Sequence, residues 1–227
     1  MPTPAPPSVS CRHCGEANGW AGPVSPGKTF HPDCWHRVRD GLQTIPLIYR
    51  KLRPIVPVRG VAGKPFVVIL GEAGAGKSVS AGELLEYQAV EHGAMPCWLN
   101  VPELMLKIRA TFDDKSGSNE EDVINSVVNK RGWLCLDDVG AEKISDYSTS
   151  TLYLILNQRG ENSRLTVITS NLSLDAIAQK LDDRIASRLA RYGHVVTLTK
   201  NNVQPTEVTP IGGDTYCKPE FERGSSI

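Results

Sequence analysis

No stretch of this 227-residue sequence approaches the ~18 consecutive apolar residues that a membrane-spanning helix needs. Residues 1 to 7, Met-Pro-Thr-Pro-Ala-Pro-Pro, also lack the charged start and apolar core of a secretion signal. The expectation is a cytoplasmic chain with no membrane partner. Net charge is missing too, since 25 Lys or Arg stand against 25 Asp or Glu. A zero balance argues neither for nor against nucleic acid, so its distribution matters more than its sum. Residues 1 to 60 hold eight Lys or Arg against three Asp or Glu, which puts the basic surface at the N-terminal end. Such an asymmetry suits a nucleic-acid contact, an acidic partner or a plain solvated face.

One stretch organises the rest. An unbroken apolar run, Phe66 to Leu70, is followed by Gly71, Glu72, Ala73, Gly74, Ala75, Gly76, Lys77 and Ser78, and then by a helical pattern from Ser78 to His92. Strand, glycine turn and helix with the spacing G-x-x-x-x-G-K-S make a phosphate-binding loop. The glycines let consecutive backbone N–H groups point into one concavity, the helix N-terminus adds positive potential, and Lys77 reaches the β and γ phosphates. Ser78 would place its hydroxyl on Mg²⁺.

The N-terminal region carries a second pattern. Residues 1 to 10 are proline-rich and read as a disordered lead-in. Cys11 and Cys14, then His31 and Cys34, form two ligand pairs on either side of a glycine- and proline-containing spacer. Four soft or borderline ligands close a tetrahedral structural Zn²⁺ site, and the metal would supply folding energy that the spacer cannot. His13 and His36 are spare candidates. A disulfide is the rival, and three cysteines in a segment with no secretion signal make it a poor one. Residues 35 to 53 have helical character interrupted at Pro46, with Val38, Leu42, Ile45, Ile48, Tyr49 and Leu52 on one side. Pro54, Pro57 and Gly60 mark a linker over 54–60.

Beyond the loop the chain alternates strand and helix. Strands are expected at Pro96 to Val101, Trp133 to Leu136, Leu165 to Asn171 and His194 to Thr199, and helices at Pro102 to Phe112, Glu121 to Lys130 and Ile144 to Gly160. The third strand ends in Asp137 and Asp138. A carboxylate pair at a strand end, downstream of a phosphate loop, is where a nucleotide hydrolase holds its metal: Asp137 would bind Mg²⁺ and Asp138 would orient the attacking water. Asn171, at the tip of the next strand, is placed to bond the γ phosphate or that water, or else to cap the following helix together with Ser173. Arg184 and Arg188, four apart on one helix face, suit a charge-stabilising role on a transferring phosphoryl group, or a solvated outer face. From Asn201 the chain reads as a mobile tail.

Taken in order, the phosphate loop, Leu134 to Lys143, Val167 to Ser173 and Asp183 to Leu189 resemble the AAA+ core of replicative-helicase loaders of the DnaC/DnaI type, with the transposition helper IstB a close relative. The resemblance covers about Val61 to Lys200. It implies an α/β fold with a five-stranded parallel sheet in the order 5-1-4-3-2. The small zinc module at 11–53 is not part of that resemblance; because loaders grip the helicase with their N-terminal region, it is the candidate for that role, with DNA contact as the alternative. It implies Gly71 to Ser78 as Walker A, Asp137 and Asp138 as Walker B, Asn171 as sensor 1, and Arg188 as an arginine finger with Arg184 beside it. The implied cofactors are ATP and Mg²⁺. A hexameric replicative helicase, single-stranded DNA and neighbouring copies at the ATP site are the implied partners, and the implied activity is an ATPase, slow in the isolated subunit. Two departures from the wider AAA+ pattern stand out. Asp138 replaces the usual Glu, and the 28 residues after Thr199 are too few for a helical lid with its sensor 2 arginine.

Three rivals remain at this level: an IstB-like regulator of a transposase, a zinc-dependent DNA-binding module with ATP as structural ligand, and a small-molecule phosphotransferase. The last requires a lid and an acceptor site that the sequence does not display.

Overall fold

The computed structural model describes residues 20–21, 29–30, 32–51, 63–112 and 119–200. The lead-in 1–10, Cys11, Cys14, His31, the linker 54–60 and the tail 201–227 lie outside the described residues. The first elements are two short strands, β1 (Trp20–Ala21) and β2 (Thr29–Phe30), paired antiparallel with Trp20 opposite Phe30. Helices α1 (Pro32–Gln43) and α2 (Leu47–Lys51) follow, broken where Pro46 was expected to interrupt.

The core then runs β3 (Phe66–Gly71), α3 (Lys77–His92), β4 (Pro96–Asn100), α4 (Val101–Ala110), α5 (Glu120–Val128), β5 (Trp133–Asp137), α6 (Asp146–Glu161), β6 (Thr166–Ser170), α7 (Leu174–Lys180), α8 (Asp183–Tyr192) and β7 (Gly193–Leu198). The five core strands form one sheet in the order β4-β5-β6-β3-β7, every ladder parallel. Numbered along the chain from the other edge, that is the expected 5-1-4-3-2. The loop after β3 and the acids after β5 therefore sit at the same carboxyl edge, on either side of β6, where ligands bind open α/β sheets.

Both faces of the sheet are covered, and β3 and β5 accordingly run apolar up to their last residues rather than alternating with polar ones. In β3, Phe66, Val68 and Leu70 join an apolar layer built from α4 to α8, while Val67 and Ile69 join a layer built from α1 and α3. Trp35, Val38, Leu42 and Ile45 of the N-terminal region are buried in this second layer beside Ala81, Leu84 and Leu85. Thr44 adds a polar tie, its Oγ1 accepting from the Trp98 N–H at 2.9 Å.

Helix boundaries follow local chemistry. Asn100 caps α4 through Glu103 N, Asn119 caps α5 through Asp122 N, and Ser145 and Ser148 form a reciprocal capping box at α6. Two expectations fail at such boundaries. Helix α4 stops at Ala110, with Thr111 as its cap, so Phe112 lies beyond the helix; it is 55% exposed and packs edge-on against Tyr147. Ile48 is 61% exposed because α2, restarted after the break at Pro46, turns Tyr49 rather than Ile48 toward the layer that buries Val38, Leu42 and Ile45.

Among the described residues the deepest charged group is Arg159 of α6, which is fully buried with no carboxylate paired to it. Its guanidinium makes five donations: to Thr166 Oγ1, to the carbonyls of Val127, Val128 and Lys130 around the end of α5, and to Leu165 O. The carbonyls of Val127 and Val128 belong to the last turn of α5, the negative end of its dipole. Burial lowers the arginine to about 10, and it still carries its proton at neutral pH.

Candidate nucleotide-binding site

The phosphate loop is shaped by backbone positions that side chains resist. Gly71 has φ 150 and lies so close to β7 that a Cβ there would collide with the Leu198 carbonyl; Gly76, with φ 86, is the left-handed N-cap of α3. The cap makes no side-chain bond, so the first N–H groups of α3 stay available to a ligand. An anion at this position gains from those donors and from the helix dipole together.

Lys77 opens the helix and points back across the loop. Its Nζ donates to Glu72 O at 2.8 Å and to Asn171 Oδ1 at 2.6 Å, and only 5% of the residue is exposed. Burial lowers its basicity, opposed by the carboxylates of Asp138 and Asp137. Asn171 thus faces the lysine, while Ser173 alone caps α7 through Ala176 N. That separates the two uses left open for Asn171 by the sequence.

Next to the lysine, Ser78 Oγ donates to Asp137 Oδ1 at 2.9 Å. A hydroxyl and a carboxylate oxygen at this separation suit a hard cation such as Mg²⁺, and Lys77, Ser78 and the loop N–H groups suit the phosphates of a nucleotide. Burial pushes the Asp137 carboxyl up against the opposing bonds from Thr169 and Ser78. A divalent cation stabilises the ionised form, so the pocket holds a carboxylate whose charge is incompletely satisfied until one arrives. Among the described residues no three His, Cys, Asp or Glu side chains gather as a metal cage. Mg²⁺ in such sites takes one or two carboxylates plus substrate phosphates, so a cage is not required.

Thr169 was not singled out by the sequence reading, yet it ties the acidic pair together. Its Oγ1 donates to Asp137 Oδ1 at 2.6 Å and accepts from Asp138 N at 3.0 Å, while its carbonyl accepts from Val139 N. Asp138 sits at φ 61, a left-handed conformation uncommon outside glycine and easiest for Asp and Asn. Ser170 Oγ donates to Val139 O, and Glu142 Oε2 accepts from Gly140 N, so the strained turn is fastened on both sides. The signal for Thr169 is positional: it lies near the carboxyl end of β6, two residues before Asn171, at the edge of the sheet where the acids of β5 also end.

A cleft of about 310 Å³ opens beside the acids, lined by Tyr49, Trp98, Asn100, Glu103, Asp137 and Asp138 among others. It gives both carboxylates access from the side of α2 and α4.

Arg184 and Arg188 form a separate cluster on α8. Arg188 donates through Nε to Asn157 Oδ1 at 2.6 Å and through a terminal nitrogen to Tyr153 Oη at 3.3 Å. Arg184 pairs with Asp182 at 2.8 Å and stacks its guanidinium 4.7 Å from the centre of the Tyr153 ring. Tyr153 and Asn157 are four residues apart on α6, so one helix face presents a ring and an amide to both arginines. Of the four expected zinc ligands only Cys34 is described; it stands in the first turn of α1, half-buried against the apolar layer of α1 and α3.

The family model for IstB-like ATP binding proteins matches residues 46–206. Among curated relatives, the replicative helicase loader DnaC of Buchnera aphidicola subsp. Baizongia pistaciae is 28% identical over 134 residues, 59% of this chain and 53% of that protein. The protein of the same name from Escherichia coli K12 is 24% identical over 122 residues, 54% of this chain and 49% of its own. The chain therefore spans about half the length of the curated relatives it matches. In fold it is similar to a crystal structure of the DnaC helicase loader, with TM-score 0.53 and 20% identity over 74% of this chain and 99% of that one. Domain III of the Thermotoga maritima replication initiation protein DnaA superimposes with TM-score 0.51 and 16% identity, covering 78% of this chain and 69% of that one. With an ATP-binding family model matched across the loop, the acids and the arginine pair, the chain belongs to the IstB-like ATP-binding protein family.

Proposed function

We propose that this chain is an ATP-dependent loader of a hexameric replicative helicase onto single-stranded DNA, with ATP binding favouring assembly and hydrolysis favouring release. The observation that carries the reading is the convergence of Lys77, Ser78, Asp137 and Asn171 in one bonded cluster at the carboxyl edge of the sheet, in a family whose relatives include proteins named replicative helicase loader DnaC.

In this reading the loop from Gly71 to Ser78 holds the phosphates of ATP, Lys77 neutralises them, and Ser78 and Asp137 hold Mg²⁺. Bound there, the metal would screen charge on the phosphates. Asp138 orients the attacking water and Asn171 fixes its position. Arg188, with Arg184, serves the site of a neighbouring copy. Their partners on the home subunit favour this reading, because Tyr153 and Asn157 hold both guanidinium groups in place without a carboxylate clamp on Arg188. A trans-acting arginine is worth about 10³ to 10⁵ in rate, so an isolated subunit turns over slowly.

Residues 11–53 are our candidate for the helicase grip, with Cys11, Cys14, His31 and Cys34 holding one structural zinc. The antiparallel pair of β1 and β2 in the spacer, together with Cys34 in the first turn of α1, supports that arrangement. Metal analysis of the folded protein is expected to find one zinc per chain, and a folded zinc-free protein would remove the site. Because α1 is packed into the sheet layer, a deletion that tests the grip should stop before Pro32.

The decisive experiment mixes the protein with the host's replicative helicase, with and without ATP, and measures the mass of the complex. An ATP-dependent complex is expected. Copurification with a transposase in place of the helicase would favour the IstB-like regulator, a reading supported by the family match itself.

A further inference from the structure

We infer that Lys200 is a second phosphate-contacting cation of the loop, paired with Glu72 and passed to the phosphate chain of a bound nucleotide. The inference rests on ATP binding at Gly71 to Ser78 and adds a residue that neither the motifs nor the sheet topology assigns.

Three observations carry it. Strand β7 runs parallel to β3 with Leu198 opposite Gly71, so the residues just past β7 emerge beside the start of the loop. Contact there is close, since the Leu198 carbonyl occupies the space a Cβ on Gly71 would need. From this end the Lys200 side chain extends along the loop: its Cε lies 3.7 Å from the point a Cβ on Gly74 would occupy, and its Nζ is 3.7 Å from Glu72 Oε2. Gly74 itself is held to glycine by its backbone, φ 81, and the aliphatic stem of Lys200 lies within van der Waals reach of the loop that cradles phosphate.

The pair of Lys200 and Glu72 is open to solvent, with side chains 59% and 74% exposed. Ion pairs of that kind hold little free energy, so Lys200 can exchange its carboxylate for a polyanion at small cost. A phosphate oxygen is also the better acceptor for an ammonium, since charge-assisted bonds to phosphate are short and strong. Glu72 has the opposite character. Its own carboxylate lies on the phosphate loop, and without a cation beside it that charge would repel the incoming nucleotide. Lys200 thus has two tasks that separate experimentally: neutralising Glu72, and touching phosphate itself.

The test is equilibrium binding of ATP and ADP to the full chain by calorimetry, with wild type and Lys77→Ala as references. Lys200→Ala is expected to raise the Kd for both nucleotides by about tenfold and Lys200→Glu by more, while Lys200→Arg stays near wild type. Glu72→Gln removes a like charge from the loop and is expected to lower the Kd for both nucleotides. In the double variant Lys200→Ala with Glu72→Gln, direct contact predicts that most of the loss persists. Full recovery in the double variant would show that Lys200 only neutralises Glu72, and an unchanged Kd for Lys200→Ala would show that it does neither; both results overturn the inference. If wild type itself bound no ATP, the reading of the loop would fall and this inference with it. If wild type binds and Lys77→Ala does not, the fate of Lys200 is decided on its own variants. Lys200 and Glu72 are exposed positions, and an unchanged melting temperature without nucleotide would confirm that each variant, the buried Lys77→Ala included, folds.

Discussion

Two arginine sites on helix α6 and its neighbour make opposite use of the same side chain. Arg159 is fully buried, and its donations end on carbonyls and a hydroxyl fixed in the chain's own core. Arg184 and Arg188 lie across the ring of Tyr153 at the surface, bonded to groups that solvent or another subunit can replace. The planar fork of five donors suits both tasks. What separates a structural arginine from one available for catalysis is whether its acceptors are fixed before a partner arrives.

The sharpest way to break the comparison is to remove Arg188. Arg188→Ala is expected to lower stimulated ATP turnover by about 10³ or more while leaving the Kd for ATP and the melting temperature close to wild type. Restoring turnover by mixing Arg188→Ala with Lys77→Ala subunits would place the arginine and the loop on different chains. Lost ATP binding would instead assign the arginine to its own subunit. Arg159→Leu should show the reverse pattern, losing at least about 3 kcal/mol of unfolding free energy because several buried acceptors are stranded at once. Chemical denaturation measures it, and a loss no greater than that of Arg184→Ala would erase the distinction.

A smaller effect tests the cost of the site itself. The Asp137 carboxyl is raised above its usual range chiefly by burial, so between the ordinary carboxylate value and its raised value the folded chain binds more protons than the unfolded one. Stability contributed by this residue therefore falls as pH rises through that window, and at neutral pH the cost is fully present. Asp137→Asn is expected to melt about 2–4 °C higher without nucleotide at neutral pH, roughly the shift 1 kcal/mol gives a domain of this size, with the gain shrinking below the carboxylate range. A lower melting temperature would mean that the bonds from Ser78 and Thr169 outweigh burial.

Much of this molecule was legible in its sequence wherever function demands a fixed spacing. The loop, the acids after β5 and the strand order follow from glycine placement, strand-end carboxylates and a family pattern. Thr169 was not legible, because its partners Asp137 and Asp138 are set by the pairing of β5 with β6 rather than by local order. Arg159 was not legible either, because its acceptors at the end of α5 and before β6 are brought to it by packing rather than by local order. Phe112 was misplaced because helical periodicity continues past Ala110 while the helix does not.

The left-handed turn at Asp138 bears on how this site can be altered. Asp is among the few residues besides glycine that accept such a backbone readily, whereas Glu gains nothing local to offset it. Lengthening the acid to the form common in the wider superfamily would add reach toward a water and at the same time strain the turn that Thr169 and Glu142 fasten. Under the proposed function, the speed of hydrolysis is tied to the conformation of one peptide unit. A faster variant would have to rebuild the turn from Asp138 to Glu142 together with the acid, so changes in turnover at this site are expected to require several substitutions at once.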